Sequence, residues 1–144
     1  MGAERLAVHA EATPNLHKAL GMIRSEGAKA GLALNPGTAV ECVSDALQET
    51  DYLLILSADL GFGNSPFIPG TLSKVQTACA LRRERRLDFA IQVEGSIGPE
   101  QIEALVQAGA DILVAGSDIF QKDPKTRLAE MMRHAASSRQ VSRV

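Results

Sequence analysis

Three glycine-bearing stretches hold the residues best suited to chemistry. They are Ser57-Ala58-Asp59-Leu60-Gly61-Phe62-Gly63-Asn64-Ser65-Pro66-Phe67-Ile68-Pro69, Glu94-Gly95-Ser96 and Gly116-Ser117-Asp118-Ile119-Phe120. Glycine lets a backbone approach an anion closely and turn successive N–H groups towards it, so Gly61, Gly63, Gly95 and Gly116 together form a candidate phosphate cradle. One such turn alone says little, because tight turns after strands need glycine anyway. Their recurrence at three successive strand ends raises the joint reading. Near the start of the chain, His9 and Glu11 stand two apart, which on a continuing strand places both on one face. Two candidate ligands fall short of a metal site, and a hydrogen-bonded pair at a strand end is the simpler expectation. His17 and His134 fall in amphipathic segments and are expected to be exposed. Cys42 and Cys79 fall inside helix candidates and read as small buried hydrophobes, with no nearby histidine to make a nucleophile.

The elements that must position these loops are legible as alternating units. Short apolar runs at Leu6–His9, Ala28–Leu34, Tyr52–Ser57, Phe89–Val93 and Ile112–Ala115 read as strands, and Tyr52-Leu53-Leu54-Ile55-Leu56 is apolar enough for a parallel sheet covered on both faces. Helices are expected at Asn15–Glu26, Ala39–Gln48, Thr71–Arg86, Pro99–Gln107 and Pro124–Ala136; Pro99 near one start and Gly109 beyond its end are the strongest pair of signals. In parallel α/β proteins, ligands meet the loops at the strands' C-terminal ends, where the glycines lie. Arg82-Arg83-Glu84-Arg85-Arg86 reads as a solvated helix end, where cations suit the dipole. The expected organisation is one α/β domain over residues 1–136 and a flexible C-terminal tail over 137–144.

Composition bounds the function. The 144 residues include 15 Lys and Arg against 17 Asp and Glu, a net charge of -2, so no basic field favours nucleic acid or an anionic membrane. No apolar run approaches the roughly 20 residues of a membrane span, and the opening residues lack a signal-peptide core. Two widely spaced cysteines fit reduced thiols, and the expected location is the cytoplasm.

Several motifs, in order from Leu6 to Phe120, resemble the ribulose-phosphate 3-epimerase family. They are Val8-His9-Ala10-Glu11-Ala12-Thr13, Lys29 to Thr38, Gly61-Phe62-Gly63 with Phe67-Ile68-Pro69, Val93-Glu94-Gly95-Ser96, Ala108-Gly109-Ala110-Asp111, and Val114 to Phe120. The resemblance implies a (β/α)8-type barrel and the interconversion of ribulose 5-phosphate and xylulose 5-phosphate, in which a proton leaves C3 and another returns on the opposite face through an enediolate. It implies that Glu94 is a catalytic acid/base and metal ligand, standing where the family has an Asp. Gly61, Phe62, Gly63, Asn64, Gly95, Ser96, Gly116 and Ser117 become the expected substrate phosphate site. The implied cofactor is a divalent metal, zinc, iron or manganese, and the implied partner is a small sugar phosphate. Asp59-Leu60 and Asn64-Ser65 depart from the family's usual Asn-Pro and Gly-Gln pairs.

The resemblance covers only the C-terminal five-eighths of the barrel. A complete barrel of about 250 residues uses about 31 per unit, so 144 residues hold four to five units. The family's other catalytic Asp and its remaining metal ligands come from the second and third strands, which have no counterpart in these residues. The expected fold is therefore a partial barrel with an open apolar face. A homo-oligomer covering that face, a re-curled sheet or a fragment of a longer chain all answer it. Two functional readings stay open: a sugar-phosphate epimerase, and a non-catalytic sugar-phosphate binder or inactive remnant.

Overall fold

The near-continuous apolar runs become five strands, β1 (Arg5–His9), β2 (Lys29–Leu34), β3 (Tyr52–Leu56), β4 (Ala90–Gly95) and β5 (Ile112–Ala115), in a computed structural model that describes residues 2–59, 61 and 65–141. All neighbours pair in parallel, in the order β1-β2-β3-β4-β5. Four helices of two turns or more run beside them: α1 (Leu16–Ser25), α2 (Gly70–Glu84), α3 (Pro99–Ala108) and, after the one-turn α4 (Ser117–Phe120), α5 (Pro124–Val141). The result is a partial α/β barrel wall. Among the described residues no helix is long and apolar enough to cross a membrane.

Period-two alternation assigns the two faces of the wall. Leu32, Leu34, Leu53, Ile55, Ile91 and Val93 point outward into the core shared with Leu20, Val75, Ala78, Ile102 and Leu105 of the helices. Each such side chain contributes roughly 1.5–3 kcal/mol by leaving water. Ala33, Tyr52, Leu54 and Leu56 form the inner cluster with Ala7 and Ala90. Gly31 is required there, because a Cβ on it would fall 2.2 Å from Cζ of Tyr52, whose ring lies across β2. Arg5 stacks over the same ring at 5.7 Å.

At the N-terminal end of the sheet two aspartates fasten strand to strand. Asp51 Oδ2 accepts the Ala30 N–H at 2.7 Å, while Oδ1 accepts from Arg24 of α1 at 3.4 Å. Asp111 repeats the arrangement two strands later, accepting the Ile91 N–H at 2.8 Å and Arg82 Nη1 of α2 at 2.5 Å. Arg82 also donates to the Phe89 carbonyl at 2.8 Å.

Four expectations need correction. Ala39–Gln48 is two 3₁₀ turns, Val40–Val43 and Ala46–Glu49, rather than one α-helix. The apolar positions Val40, Val43 and Ala46 recur every three residues, the 3₁₀ repeat, and Ser44 and Asp45 between the turns are residues that compete for the backbone. The expected tail from residue 137 instead continues α5 through Val141, with Ser138 buried and the Ser137 and Ser138 hydroxyls turned back onto the His134 carbonyl, while residues 142–144 lie outside the described residues. Arg82 is not a solvated helix end but the guanidinium of the Asp111 clasp. Cys42 is exposed rather than buried, since its turn directs Val40 and Val43 inward instead, and Cys79 is half-buried.

Candidate functional site

The C-terminal ends of the strands carry the glycine loops, as the alternating units require. Glu94 shares the inner face of β4 with Ala90 and Gln92, and in the ladder it lies between Leu56 of β3 and Val114 of β5. Its carbonyl accepts both the Ser57 N–H at 2.8 Å and the Ser57 hydroxyl at 3.0 Å, which ties the β4 turn to the loop leaving β3. Gly95 follows with φ +137, and a Cβ there would meet Ser57 Oγ at 2.5 Å and the Ala58 nitrogen at 3.2 Å. Only glycine fits both the dihedral and the space. Ser96 then donates its hydroxyl to the Ser65 carbonyl, and Ser65 donates to the Asp59 carbonyl at 2.7 Å. Three hydrogen bonds, two of them on the Glu94 carbonyl, thus link the two loops.

The loop after β5 closes the arrangement. Gly116 leads into α4, and Asp118 takes a two-pronged contact from Arg127 of α5, at 2.5 Å to Nε and 2.9 Å to Nη2. That guanidinium holds the Asp118 carboxyl below the usual carboxylate range. Arg127 also donates to Glu130 at 2.7 Å. A cleft of about 220 Å³ opens between the β4 and β5 loops, lined by Ser96, Gly98, Ser117, Gln121 and Arg127 among others. Among the described residues, the N–H groups of Ser96, Gly116 and Ser117 donate to no protein acceptor. A larger recess of about 590 Å³ lies at the opposite end of the sheet among Arg82, Arg83, Arg86 and Phe89. It lacks the glycine turns, and Arg82 there is already committed to Asp111.

Of the expected phosphate residues, Gly95, Ser96, Gly116 and Ser117 are brought together at the ends of β4 and β5. Gly61, at φ +95, lies in the loop after β3. Phe62, Gly63 and Asn64 lie outside the described residues.

The opposite part of the rim is polar in a different way. β1 stops at His9 and gives way to a 3₁₀ turn at Ala10–Ala12, so His9 and Glu11 do not share a continuing strand. The turn nevertheless brings His9 Nδ1 within 3.2 Å of Glu11 Oε2. Glu11 Oε1 accepts the Asn35 N–H at 3.0 Å and the Thr38 hydroxyl. Burial pulls the Glu11 carboxyl upward, but Thr38, Asn35, its own N–H and His9 together hold it at about 2. From the other side, Lys74 of α2 donates to the Asn35 and Pro36 carbonyls at 2.8 and 2.6 Å. Burial lowers the Lys74 ammonium against the upward pull of Glu11. Sequence spacing signals the His9–Glu11 pair but not its partners 24 and 27 residues on. His17 and His134 are exposed as expected, His17 beside Glu49 at 2.9 Å.

The residues present do not fit a metal centre. Among the described residues no three His, Cys, Asp or Glu side chains gather where one ion would reach them. Glu11, moreover, has one oxygen committed to Asn35 and Thr38 and the other to His9.

Comparison with known proteins agrees with this architecture. A model of the ribulose-phosphate 3 epimerase family matches residues 1–120. The ribulose-phosphate 3-epimerase of Bacillus subtilis is 36% identical over 132 residues, covering 90% of this chain and 61% of that protein. The ribulose-phosphate 3-epimerase of a Synechocystis strain is 40% identical over 121 residues, covering 83% and 53%. The chain thus spans about three-fifths or less of these relatives' length. Among solved structures, 3-keto-L-gulonate-6-phosphate decarboxylase from Vibrio cholerae superposes with a TM-score of 0.72 at 13% identity, over 94% of this chain and 62% of that one. The 3-hexulose-6-phosphate synthase of Salmonella typhimurium gives 0.65 at 15% identity, over 95% and 64%. These two share the fold.

Proposed function

Because the chain belongs to the ribulose-phosphate 3-epimerase family, we propose that it binds ribulose 5-phosphate at the C-terminal ends of β3–β5 and exchanges the proton at C3, towards xylulose 5-phosphate. The observation that carries this reading is the placing of Glu94. Its carboxylate stands on the inner face of the wall, and the next residues, Gly95 and Ser96, belong to the turn suited to the phosphate. The phosphate is received by N–H groups of Gly61, Gly95, Ser96, Gly116 and Ser117; Phe62, Gly63 and Asn64 are assigned to the same site from the sequence alone. Positioned N–H groups favour an anion without the cost of reorganising water around it. Glu94 takes the C3 proton, and the electron pair moves into an enediolate.

The zinc, iron or manganese of the family enters no step here, because the described residues do not gather its ligands. That observation favours a second reading, a sugar-phosphate binder without turnover. On either reading the protein works in the cytoplasm and takes no nucleic acid or membrane as partner. Self-association covers its exposed apolar residues, which include Leu6 and Met22 towards β1, and Phe120, Leu128 and Met132 towards β5.

The test is a titration with ribulose 5-phosphate followed by proton NMR in deuterated buffer. Binding with loss of the C3 proton signal supports proton transfer, and Glu94→Gln is expected to slow that loss at least about 10²-fold while folding is kept. Binding without exchange selects the non-catalytic reading.

A further inference from the structure

Asp118 stands where a carboxylate is least welcome. It follows Gly116 and Ser117, whose N–H groups receive the phosphate in the reading above, and it lines the same cleft of about 220 Å³. A round cavity of that volume is only about 7.5 Å across, so an anion inside it and a charge on its wall interact strongly. The wall carries two carboxylates, Asp118 and Glu100, and among the described residues Arg127 is the one cation on it. A phosphate monoester brings up to roughly two further negative charges. We propose that Arg127 is a positioning residue of the phosphate site, which makes the cleft tolerate a phosphate by holding the Asp118 carboxylate aside and cancelling its charge; the inference rests on the phosphate reading above and deepens it.

Three observations carry it. First, the contact is two-pronged: Nε reaches Oδ2 at 2.5 Å and Nη2 reaches Oδ1 at 2.9 Å, so both carboxylate oxygens are turned to the guanidinium. Second, the guanidinium is itself fixed. Nη1 donates to Glu130 at 2.7 Å, Glu130 lies outside the lining of the cleft, and only 13% of the Arg127 side chain is exposed. Third, the carboxylate sits between the two turns that form the cleft, because a Cβ on Gly98, at the start of α3, would lie 3.6 Å from Asp118 Oδ1. The pair also joins a residue inside the family match, which ends at 120, to one beyond it.

The charge must be met by a partner and not by a proton. Hydrogen bonding to Arg127 holds the Asp118 carboxyl below the usual carboxylate range, with Lys122 adding a weaker pull, so Asp118 is an anion at neutral pH. Paired, the two side chains present a small dipole to the cleft. Unpaired, Asp118 presents a full negative charge to the phosphate.

The experiment titrates the native chain, Arg127→Gln, Asp118→Asn and the double variant with ribulose 5-phosphate and with inorganic phosphate, followed by phosphorus NMR. Circular dichroism and thermal midpoints verify the fold of each. Arg127→Gln leaves Asp118 uncompensated and is expected to weaken both ligands at least about 10-fold. Asp118→Asn removes the charge, keeps an acceptor for Arg127, and is expected to tighten both about threefold. The double variant holds neither charge and is expected to return to within about threefold of native affinity. A purely structural role for Arg127 gives no such rescue, since the double variant lacks its ion pairs as well. A double variant as weak as Arg127→Gln overturns the proposal, because Arg127 then serves the phosphate directly or only the fold. Unchanged or weaker binding by Asp118→Asn also overturns it, and that variant decides the matter if Arg127→Gln does not fold. A native chain that binds neither ligand removes the phosphate reading together with this one, whereas native binding without rescue removes the role of Arg127 alone.

Discussion

The two ends of the sheet treat their polar groups in opposite ways. At the N-terminal end, Asp51 and Asp111 each accept a strand N–H and a guanidinium, so their carboxylates are occupied by the fold itself. At the C-terminal end, the β4 and β5 turns present N–H groups with no protein acceptor among the described residues, and Glu94 faces the interior. In a parallel α/β protein this separation is what allows stability and ligand chemistry to change independently. Here it extends to single side chains, since the bonds around Asp51 and Asp111 touch nothing in the candidate site.

Substitutions can break that contrast, the largest effect first. Gly95→Ala is the case where both ends of the argument meet, because the added methyl is strained at φ +137 and collides with Ser57. It is expected to cost about 3 kcal/mol in urea unfolding and to abolish ribulose 5-phosphate binding by calorimetry. Retained binding at native affinity would remove the β4 turn from the site. Asp111→Ala is expected to cost about 2 kcal/mol, since it leaves the Ile91 N–H and Arg82 without their partner, yet to leave ligand affinity unchanged. Asp51→Ala should cost about 1 kcal/mol, because its Arg24 contact is longer and Arg24 is half exposed. Equal losses at the two aspartates would show that the strand N–H bond, common to both, dominates.

The smallest effect lies within the site end. Glu11 is held at about 2 in the folded chain and reverts to an ordinary carboxyl near 4.5 on unfolding. Its contribution is therefore complete above about pH 4.5 and lost as pH falls through about 2. Glu11→Gln is expected to flatten the fall of unfolding free energy across that window, and an unchanged slope would mean that the Thr38 and Asn35 bonds do not favour the anion. Asp118 beside the β5 turn, which Arg127 holds below the usual carboxylate range, adds stability of the same sign that is lost in acid, whereas the N–H groups of the β4 and β5 turns themselves do not titrate.

The strands were legible because burial on both faces leaves an almost unbroken apolar run, as in Tyr52–Leu56, and each lies within a residue or two of its expected place. Pro99 and Gly109 marked α3 for the same local reason, with Gly109 in the left-handed region just past its end. What escaped was whatever depends on partners far along the chain. Asp51 and Asp111 are unremarkable polar residues until α1 and α2 bring arginines to them. Glu11 is one carboxylate among many until the loop at Asn35–Thr38 folds against it. The 3₁₀ turns escaped differently, because residues 40, 43 and 46 satisfy both a three-residue and a 3.6-residue repeat over so short a length. In the site, the glycine turns were visible from composition, whereas the anchored state of His9 required the fold.

The tyrosine laid across Gly31 has an optical consequence. Tyr52 is the only tyrosine in the 144 residues, which contain no tryptophan, and only 6% of it is exposed. Near-ultraviolet absorption and emission of this chain therefore come almost entirely from one ring on the inner wall, outside the glycine loops. Titrated sugar phosphate leaves that signal nearly silent, while opening of the sheet between β2 and β3 changes it at once, so the molecule carries a built-in gauge of its barrel wall that needs no label.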